Sequence, residues 1–185
     1  MINLPNTLAL IRIALAPLMF YILIDGASWQ GVHISWVNYF AGLLFVLASV
    51  TDFFDGYIAR EWDQKTKLGA VLDPLADKML TLAAFLGLML LGRANAWAVY
   101  LILVREFFIT GFRVVVASEG LSVAANMAGK VKTVVQMIAI GWLIMQWHFA
   151  NALLWLAVAL TLYSGADYVL SYAKASAKSS LKNTN

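Results

Sequence analysis

The run DFFDGYIAREWDQKTKLGAVLDPLAD, from Asp52 to Asp77, holds six of the ten acidic residues in a chain of 185. Four of them, Asp52, Asp55, Asp73 and Asp77, recur at three- and four-residue spacing beside hydrophobic runs. A carboxylate close to a bilayer is costly unless it faces a polar cavity or a partner, so the cluster asks for a cation and a task for it.

The surroundings of that run are strongly apolar: 62% of the chain is hydrophobic, 12% is charged, and mean hydropathy is +0.79. These values exclude an ordinary soluble globular domain and indicate a polytopic membrane protein. Six apolar stretches, 7–25, 36–59, 69–91, 95–117, 127–147 and 150–173, each suit one span of about 20 residues. Lipid offers backbone groups no partner, so all six are expected to be helices and the fold class is all-α. Residues 1–175 are expected to form a single membrane domain, with 176–185 as a polar, frayed tail. The amino terminus lacks the basic start and small-residue cleavage pattern of a signal peptide, so the first apolar run is expected to stay in place. Cysteine is absent, which removes disulfides and thiolate metal sites.

Lys and Arg are distributed asymmetrically along this topology. Counting alternate ends assigns 12 of the 13 to one side and leaves Arg93 alone on the other. The positive-inside rule then places both termini and the acidic run in the cytoplasm. Trp29, Trp36, Trp97, Trp147 and Trp155 fall near the opposite ends, as an interfacial belt would. His33 and His148 belong to that far side and are expected to be bystanders, and the seven Met to be core or lipid-facing filler. Gly42, Gly87, Gly111, Gly141 and Gly165 are expected to permit close helix contacts.

Within the acidic run, an ideal helix puts Asp52, Asp55, Gly56 and Ala59 within about 100° of arc, so two carboxylates share a face with two small residues. The small residues leave a groove for a large ligand, and Arg60 at its border can address phosphate. Asp73 and Asp77 stand one turn apart on the next helix, and the short polar connection from Glu61 to Leu68 is expected to fold the two helices into an antiparallel pair. Four carboxylates without Cys or a useful His suit two hard divalent cations, Mg²⁺ or Mn²⁺. Such a pair would hold a diphosphate and stabilise charge on a leaving oxygen, while one carboxylate takes a proton from an attacking hydroxyl. The competing structural reading is a network with Arg60, Lys65, Lys67 and Lys78 at a membrane edge.

The pattern D-x2-D-G-x2-A-R-x8-G-x3-D-x3-D between Asp52 and Asp77 resembles the signature of the CDP-alcohol phosphatidyltransferases, with every fixed position present. The six-span pattern extends the resemblance over nearly the whole chain. It implies a dinuclear metal site on Asp52, Asp55, Asp73 and Asp77, with Asp77 as the base toward the acceptor hydroxyl. It also implies that Asp52, Gly56, Ala59, Arg60 and Thr66 hold the cytidine diphosphate of CDP-diacylglycerol. Leu4-Pro5-Asn6-Thr7 and Arg12 are similar to the family's entry segment, making Asn6 and Thr7 nucleotide candidates; Ala9 departs from the Thr often found there. A plain helix start accounts for the same residues, since Asn caps well and Pro suits the entry turn.

The acceptor is read from a second group of residues. Arg105 and Arg113 lie about 80° apart and about 12 Å along one helix, and with Lys130 and Lys132 they are candidates for a basic pocket. A charge this far inside a span is a functional hypothesis by default, and an anionic acceptor would supply its partner. The alternative is that Arg105 pairs with Glu106 or the aspartates, and that the two lysines mark the inner edge. An Arg-Glu pair, a later Arg and the segment Gly129-Lys130-x-Lys132-Thr133-x-x-Gln136 resemble the branch of the family that uses glycerol 3-phosphate. The resemblance thus implies attack by the sn-1 hydroxyl of glycerol 3-phosphate on CDP-diacylglycerol, release of CMP, a homodimer, and a bacterial inner-membrane location with the site facing the cytoplasm. Inositol phosphate, serine or phosphatidylglycerol are alternative acceptors. Outside this chemistry, a membrane prenyltransferase would carry two separated aspartate motifs on a longer chain. A cation-coupled transporter is the non-enzymatic alternative, against which stand the edge position of the carboxylates and the lack of an internal repeat. Asp167, inside the last span near its cytoplasmic end, is open between helix packing and catalysis, with packing favoured.

Overall fold

Apolar runs of about twenty residues, separated by Gly, Pro and polar clusters, resolve into six α-helices: α1 Leu4–Asp25, α2 Ile34–Glu61, α3 Gly69–Leu90, α4 Ala96–Ser118, α5 Met127–Met145 and α6 Ala150–Lys182. The computed structural model describes the backbone of residues 4–61, 69–118 and 127–182, and the side chains of these except 4–5, 52–61, 70–71, 73 and 177–182. Among the described residues there are helices and no strands, as expected of an all-α membrane fold. Among the described residues, four stretches are long and apolar enough to cross a membrane by length and composition: Asn6–Ser28, Ile34–Thr51, Met127–Met145 and Ala150–Ser176. α6 differs from expectation at its end, since its helix continues to Lys182. The segment from Ala173 is rich in Ala and Lys, which favour a helix, and lysines near a helix C-terminus complement its dipole.

The helix ends follow local chemistry. Asn95 caps α4, its Oδ1 accepting from the backbone N–H of Trp97 at 3.0 Å and of Ala98 at 3.3 Å. α3 closes on Gly92, whose φ of +67° sets the left-handed residue after the helix; the Gly92 and Arg93 N–H groups bond back to the Met89 and Leu88 carbonyls at 3.0 and 2.8 Å.

The chain packs as two compact units. The first comprises Met1–Ala94 and Ile140–His148. In it α1 packs on both α2 and α3, which also touch each other. The buried stripe of α1 runs Ala9, Arg12, Ala16, Met19 and Leu23, at spacings of three and four that keep one face inward. Ala41 and Ala48 from α2 and Ala76 and Ala84 from α3 meet it, all fully buried. In lipid, helices gain little from hydrophobicity against one another, so small residues that allow close backbone approach carry the packing.

Close contacts set the helix directions. A methyl placed on Gly26, just past α1, would fall 2.5 Å from Val37 near the start of α2, and one on Gly87 of α3 would fall 3.2 Å from Leu23 near the end of α1. The start of α2 and the end of α3 therefore lie together at the C-terminal end of α1, and α2 and α3 are antiparallel, as the short connection predicts. Gly42 approaches Met145 and Ile144 in the same unit. Two expected glycine contacts are not found: Gly111 and Gly141 meet nothing within 4 Å among the described residues. Their helix faces are not the packed ones, so these glycines admit no neighbour.

Arg93, the lone cation of its side in the sequence reading, ties this end of the first unit. Its Nη1 donates to Asn38 Oδ1 at 2.8 Å and to the Ile144 carbonyl at 3.0 Å, joining the α3 end to α2 and to the last turn of α5. Desolvation by burial holds its pKa below the ordinary arginine value, and the guanidinium stays charged at neutral pH. Replacing Arg93 with Ala strands the buried Asn38 acceptor and a helix-terminal carbonyl, a cost of about 1–3 kcal/mol. The expected result is a thermal midpoint in detergent lowered by several degrees; an unaltered midpoint would refute the tie.

The second unit comprises Asn95–Ala139 and Phe149–Asn185, with α4 packed on α6. Ile102, Ile109 and Val116, seven residues apart on α4, and Leu154, Ala157 and Val158 on α6 form its buried apolar positions. Trp97 at 70% and Trp155 at 45% exposure lie outside that core, as Trp36 and Trp147 do outside that of the first unit, in keeping with an interfacial belt.

Candidate active site

The aspartates are delivered by backbone register within the first unit. Counting from the Gly26–Val37 and Gly87–Leu23 contacts at 1.5 Å per residue, Asp52 of α2 and Asp77 of α3 both come level with about Arg12 of α1. Asp55 and Asp73 likewise come level with about Leu8 and Ala9. Four carboxylate-bearing residues thus occupy two adjacent levels at the N-terminal end of α1, on two antiparallel helices. The side chains of Asp52, Asp55, Gly56, Ala59, Arg60 and Asp73 lie outside the described residues, as does Thr66 altogether. Asp77 is half-buried and partnered.

The donor chemistry fits hard divalent cations. All four groups are carboxylates, the chain has no cysteine, and His33 stands just before α2, at the opposite end of the unit. Oxygen-only donors at two levels suit Mg²⁺ or Mn²⁺ better than softer metals. Asn6 and Arg12, which frame the same levels from α1, are buried at 1% and 0% exposure. A fully buried arginine in a helix this apolar is retained for a polar partner, and Arg12 has one. Ala9 is fully buried on the packed face of α1.

The basic residues form a separate, well-ordered constellation in the second unit. Arg105 of α4 donates from Nη1 to Glu106 Oε1 at 3.1 Å and from Nη2 to Ser164 Oγ of α6 at 2.6 Å. Lys132 of α5, buried at 6% exposure, donates to the same Glu106 oxygen. One carboxylate therefore holds two cations from two helices, leaving one net positive charge on the trio. The pairing of Arg105 with Glu106, the structural alternative in the sequence reading, is present, and it leaves Lys132 and Arg105 side by side. Arg113, two turns further along α4, is exposed and lies with Cζ 5.2 Å from the Tyr168 ring centre. Lys130 is exposed. The two lysines, equivalent in the sequence reading, thus differ: Lys132 joins the network and Lys130 faces outward.

Ser164 and Tyr168, which the sequence does not single out, and Gln136 of the segment 129–136 are further polar groups of this unit. Ser164 and Tyr168 on α6 are buried, and Gln136 on α5, at 5% exposure, keeps Oε1 buried without a hydrogen-bond partner among the described residues. Arg105 Nε is likewise buried without an acceptor there. Each unmet buried group costs about 1–3 kcal/mol, so such groups persist where a ligand or function uses them. The available signal was a serine and a tyrosine one turn apart within an apolar span, which carries no partner information by itself.

The complete aspartate pattern stands on two antiparallel helices of the first unit, and the paired basic cluster stands in the second. The chain belongs to the CDP-alcohol phosphatidyltransferase family, whose model matches residues 2–163. It is 42% identical over 181 residues to a Bacillus subtilis protein named CDP-diacylglycerol–glycerol-3-phosphate 3-phosphatidyltransferase, covering 91% of this chain and 94% of the relative. Proteins of the same name from Escherichia coli and Shigella flexneri are 38% identical over 187 residues, covering 94% of this chain and 96% of theirs.

Proposed function

We propose that this chain transfers the phosphatidyl group of CDP-diacylglycerol to glycerol 3-phosphate, giving phosphatidylglycerophosphate and CMP. The carrying observation is the full aspartate pattern on antiparallel α2 and α3, in a chain similar along its length to relatives bearing that activity in their names. Six spans with both termini in the cytoplasm of a bacterial inner membrane would put the reacting diphosphate at the cytoplasmic interface while the acyl chains stay in lipid. A homodimer is proposed on family resemblance.

In this reading Asp52, Asp55, Asp73 and Asp77 hold two divalent cations, which when bound neutralise the diphosphate and stabilise charge on the departing oxygen. Gly56 and Ala59 leave α2 free of bulk so that the nucleotide can approach its backbone, and Arg60 and Thr66 address the cytidine diphosphate. Asn6 and Thr7, near the level of Asp55 and Asp73, contact the same nucleotide. Arg105, Arg113, Lys130 and Lys132 take the phosphate of the acceptor. Asp77 accepts the proton of the sn-1 hydroxyl as its oxygen bonds to the phosphorus next to diacylglycerol; the bond from that phosphorus to the CMP oxygen breaks, and CMP leaves.

The test is CMP release by purified protein in detergent with CDP-diacylglycerol, Mg²⁺ or Mn²⁺, and a panel of acceptor alcohols. Release is expected only with glycerol 3-phosphate, to fall to background in EDTA, and to return with excess Mg²⁺ or Mn²⁺. Activity that survives chelation would refute the metal assignment, and release with a neutral acceptor alone would move the chain to another branch.

A further inference from the structure

We propose that α6 sets the geometry of the acceptor-phosphate site, with Ser164, Gly165 and Tyr168 acting as positioning residues for Arg105 and Arg113. The inference rests on the glycerol 3-phosphate reading above and adds residues just past the segment, 2–163, that the family model matches.

Ser164 is almost fully buried, and its hydroxyl is oriented from both sides: Oγ donates to the Thr161 carbonyl at 3.3 Å and accepts from Arg105 Nη2 at 2.6 Å. Gly165 supplies the space beside it. A Cβ at this position would lie 3.1 Å from Arg105 Nε and 3.3 Å from its Cγ, tighter than ordinary contact, so the arginine stem lies against bare α6 backbone. One turn on, Tyr168 places its ring 5.2 Å from Arg113 Cζ and is itself held by the edge of Phe112, with centroids 6.2 Å apart. Residues 164, 165 and 168 share one helix face, so a single face of α6 addresses both arginines of α4.

The arrangement matters because a guanidinium recognises phosphate through a planar fork of donors, and it does so well only when that plane is fixed. A free arginine loses rotamer entropy on being held. Here Ser164 and Glu106 hold Arg105 before any ligand arrives, which is preorganisation. The Tyr168 ring lies within cation–π distance of the Arg113 guanidinium, a contact that engages its charge without consuming an N–H donor. Neither Ser164 nor Tyr168 needs to touch the substrate; both act through the arginines.

The test uses the full-length enzyme in detergent and compares Michaelis constants for the two substrates in Ser164→Ala, Gly165→Ala, Tyr168→Leu and Tyr168→Phe, with Arg105→Ala and Arg113→Ala as references. Ser164→Ala, Gly165→Ala and Tyr168→Leu are each expected to raise the KM for glycerol 3-phosphate by about 5- to 10-fold, the scale of one net hydrogen bond or cation–π contact. The KM for CDP-diacylglycerol should move less than about 2-fold. Tyr168→Phe keeps the ring and should restore the wild-type KM. Stabilisation of the protein by glycerol 3-phosphate in a thermal-shift assay should weaken in parallel. An unchanged glycerol 3-phosphate KM in Ser164→Ala and Tyr168→Leu, alongside a raised one in Arg105→Ala, would overturn the positioning role and spare the acceptor assignment. Equal increases for both substrates would show only a packing role and overturn it too. If Arg105→Ala and Arg113→Ala both leave that KM unchanged, the acceptor reading falls and this inference with it. Ser164→Ala removes a single oxygen and Gly165→Ala adds a single methyl, so these two decide the matter should Tyr168→Leu fail to fold.

Discussion

Asp77→Asn is expected to reduce CMP release by at least about 10³-fold, within the range a positioned base contributes and enlarged by loss of a metal-binding oxygen. Asparagine preserves the volume and the hydrogen-bonding reach of the side chain while removing its charge and its capacity to take a proton. The residue stands level with Asp52 and buried Arg12 at the N-terminal end of α1, in a position where a lost negative charge has no substitute. Binding of CDP-diacylglycerol should be largely retained, because three carboxylates and the small-residue face of α2 remain. Measuring turnover and CDP-lipid binding on the same preparation separates the effects: normal turnover would eliminate the base role, and loss of lipid binding in step with turnover would reassign Asp77 to metal holding alone.

Arg105→Ala should raise the KM for glycerol 3-phosphate by about 100-fold, as expected when a charge-assisted, bidentate contact worth about 1.5–3 kcal/mol is removed. The mutation also leaves Ser164 without the partner it meets at 2.6 Å and gives Glu106 to Lys132 alone. The basic trio then changes from a net charge of +1 to neutral, which weakens attraction for a phosphate dianion. Arg105→Lys restores the charge without the planar fork and should recover only part of the affinity. A comparable rise in the KM for CDP-diacylglycerol would argue against an acceptor pocket.

Most of the helix pattern and the placing of the four aspartates on successive helices were legible in the sequence because both are local. Apolar residues partition into runs of span length, and Asp52, Asp55, Asp73 and Asp77 keep the spacing of one helix turn whatever surrounds them. The antiparallel order of α2 and α3 followed from the short polar connection between them. The tail was misjudged because polarity argues for fraying while Ala and Lys also favour helix, and α6 continues to Lys182. The glycines were treated as one class, yet Gly87 and Gly165 meet neighbours and Gly111 and Gly141 do not, since a glycine's use depends on which face is packed. Lys130 and Lys132 could not be separated by their spacing, and only burial distinguishes them.

The sequence by itself determined the membrane class, the helix pattern and the spacing of the carboxylates in the acidic run, because those depend on composition and on residues within a turn of one another. Tertiary structure decided which polar side chains meet. It brought Ser164 and Tyr168 of α6 to Arg105 and Arg113 of α4, gave Glu106 two cations, and set Arg93 on Asn38 and the end of α5. Those pairings join residues tens of positions apart in the chain, where contact is governed by the packed faces of whole helices and no local periodicity records it.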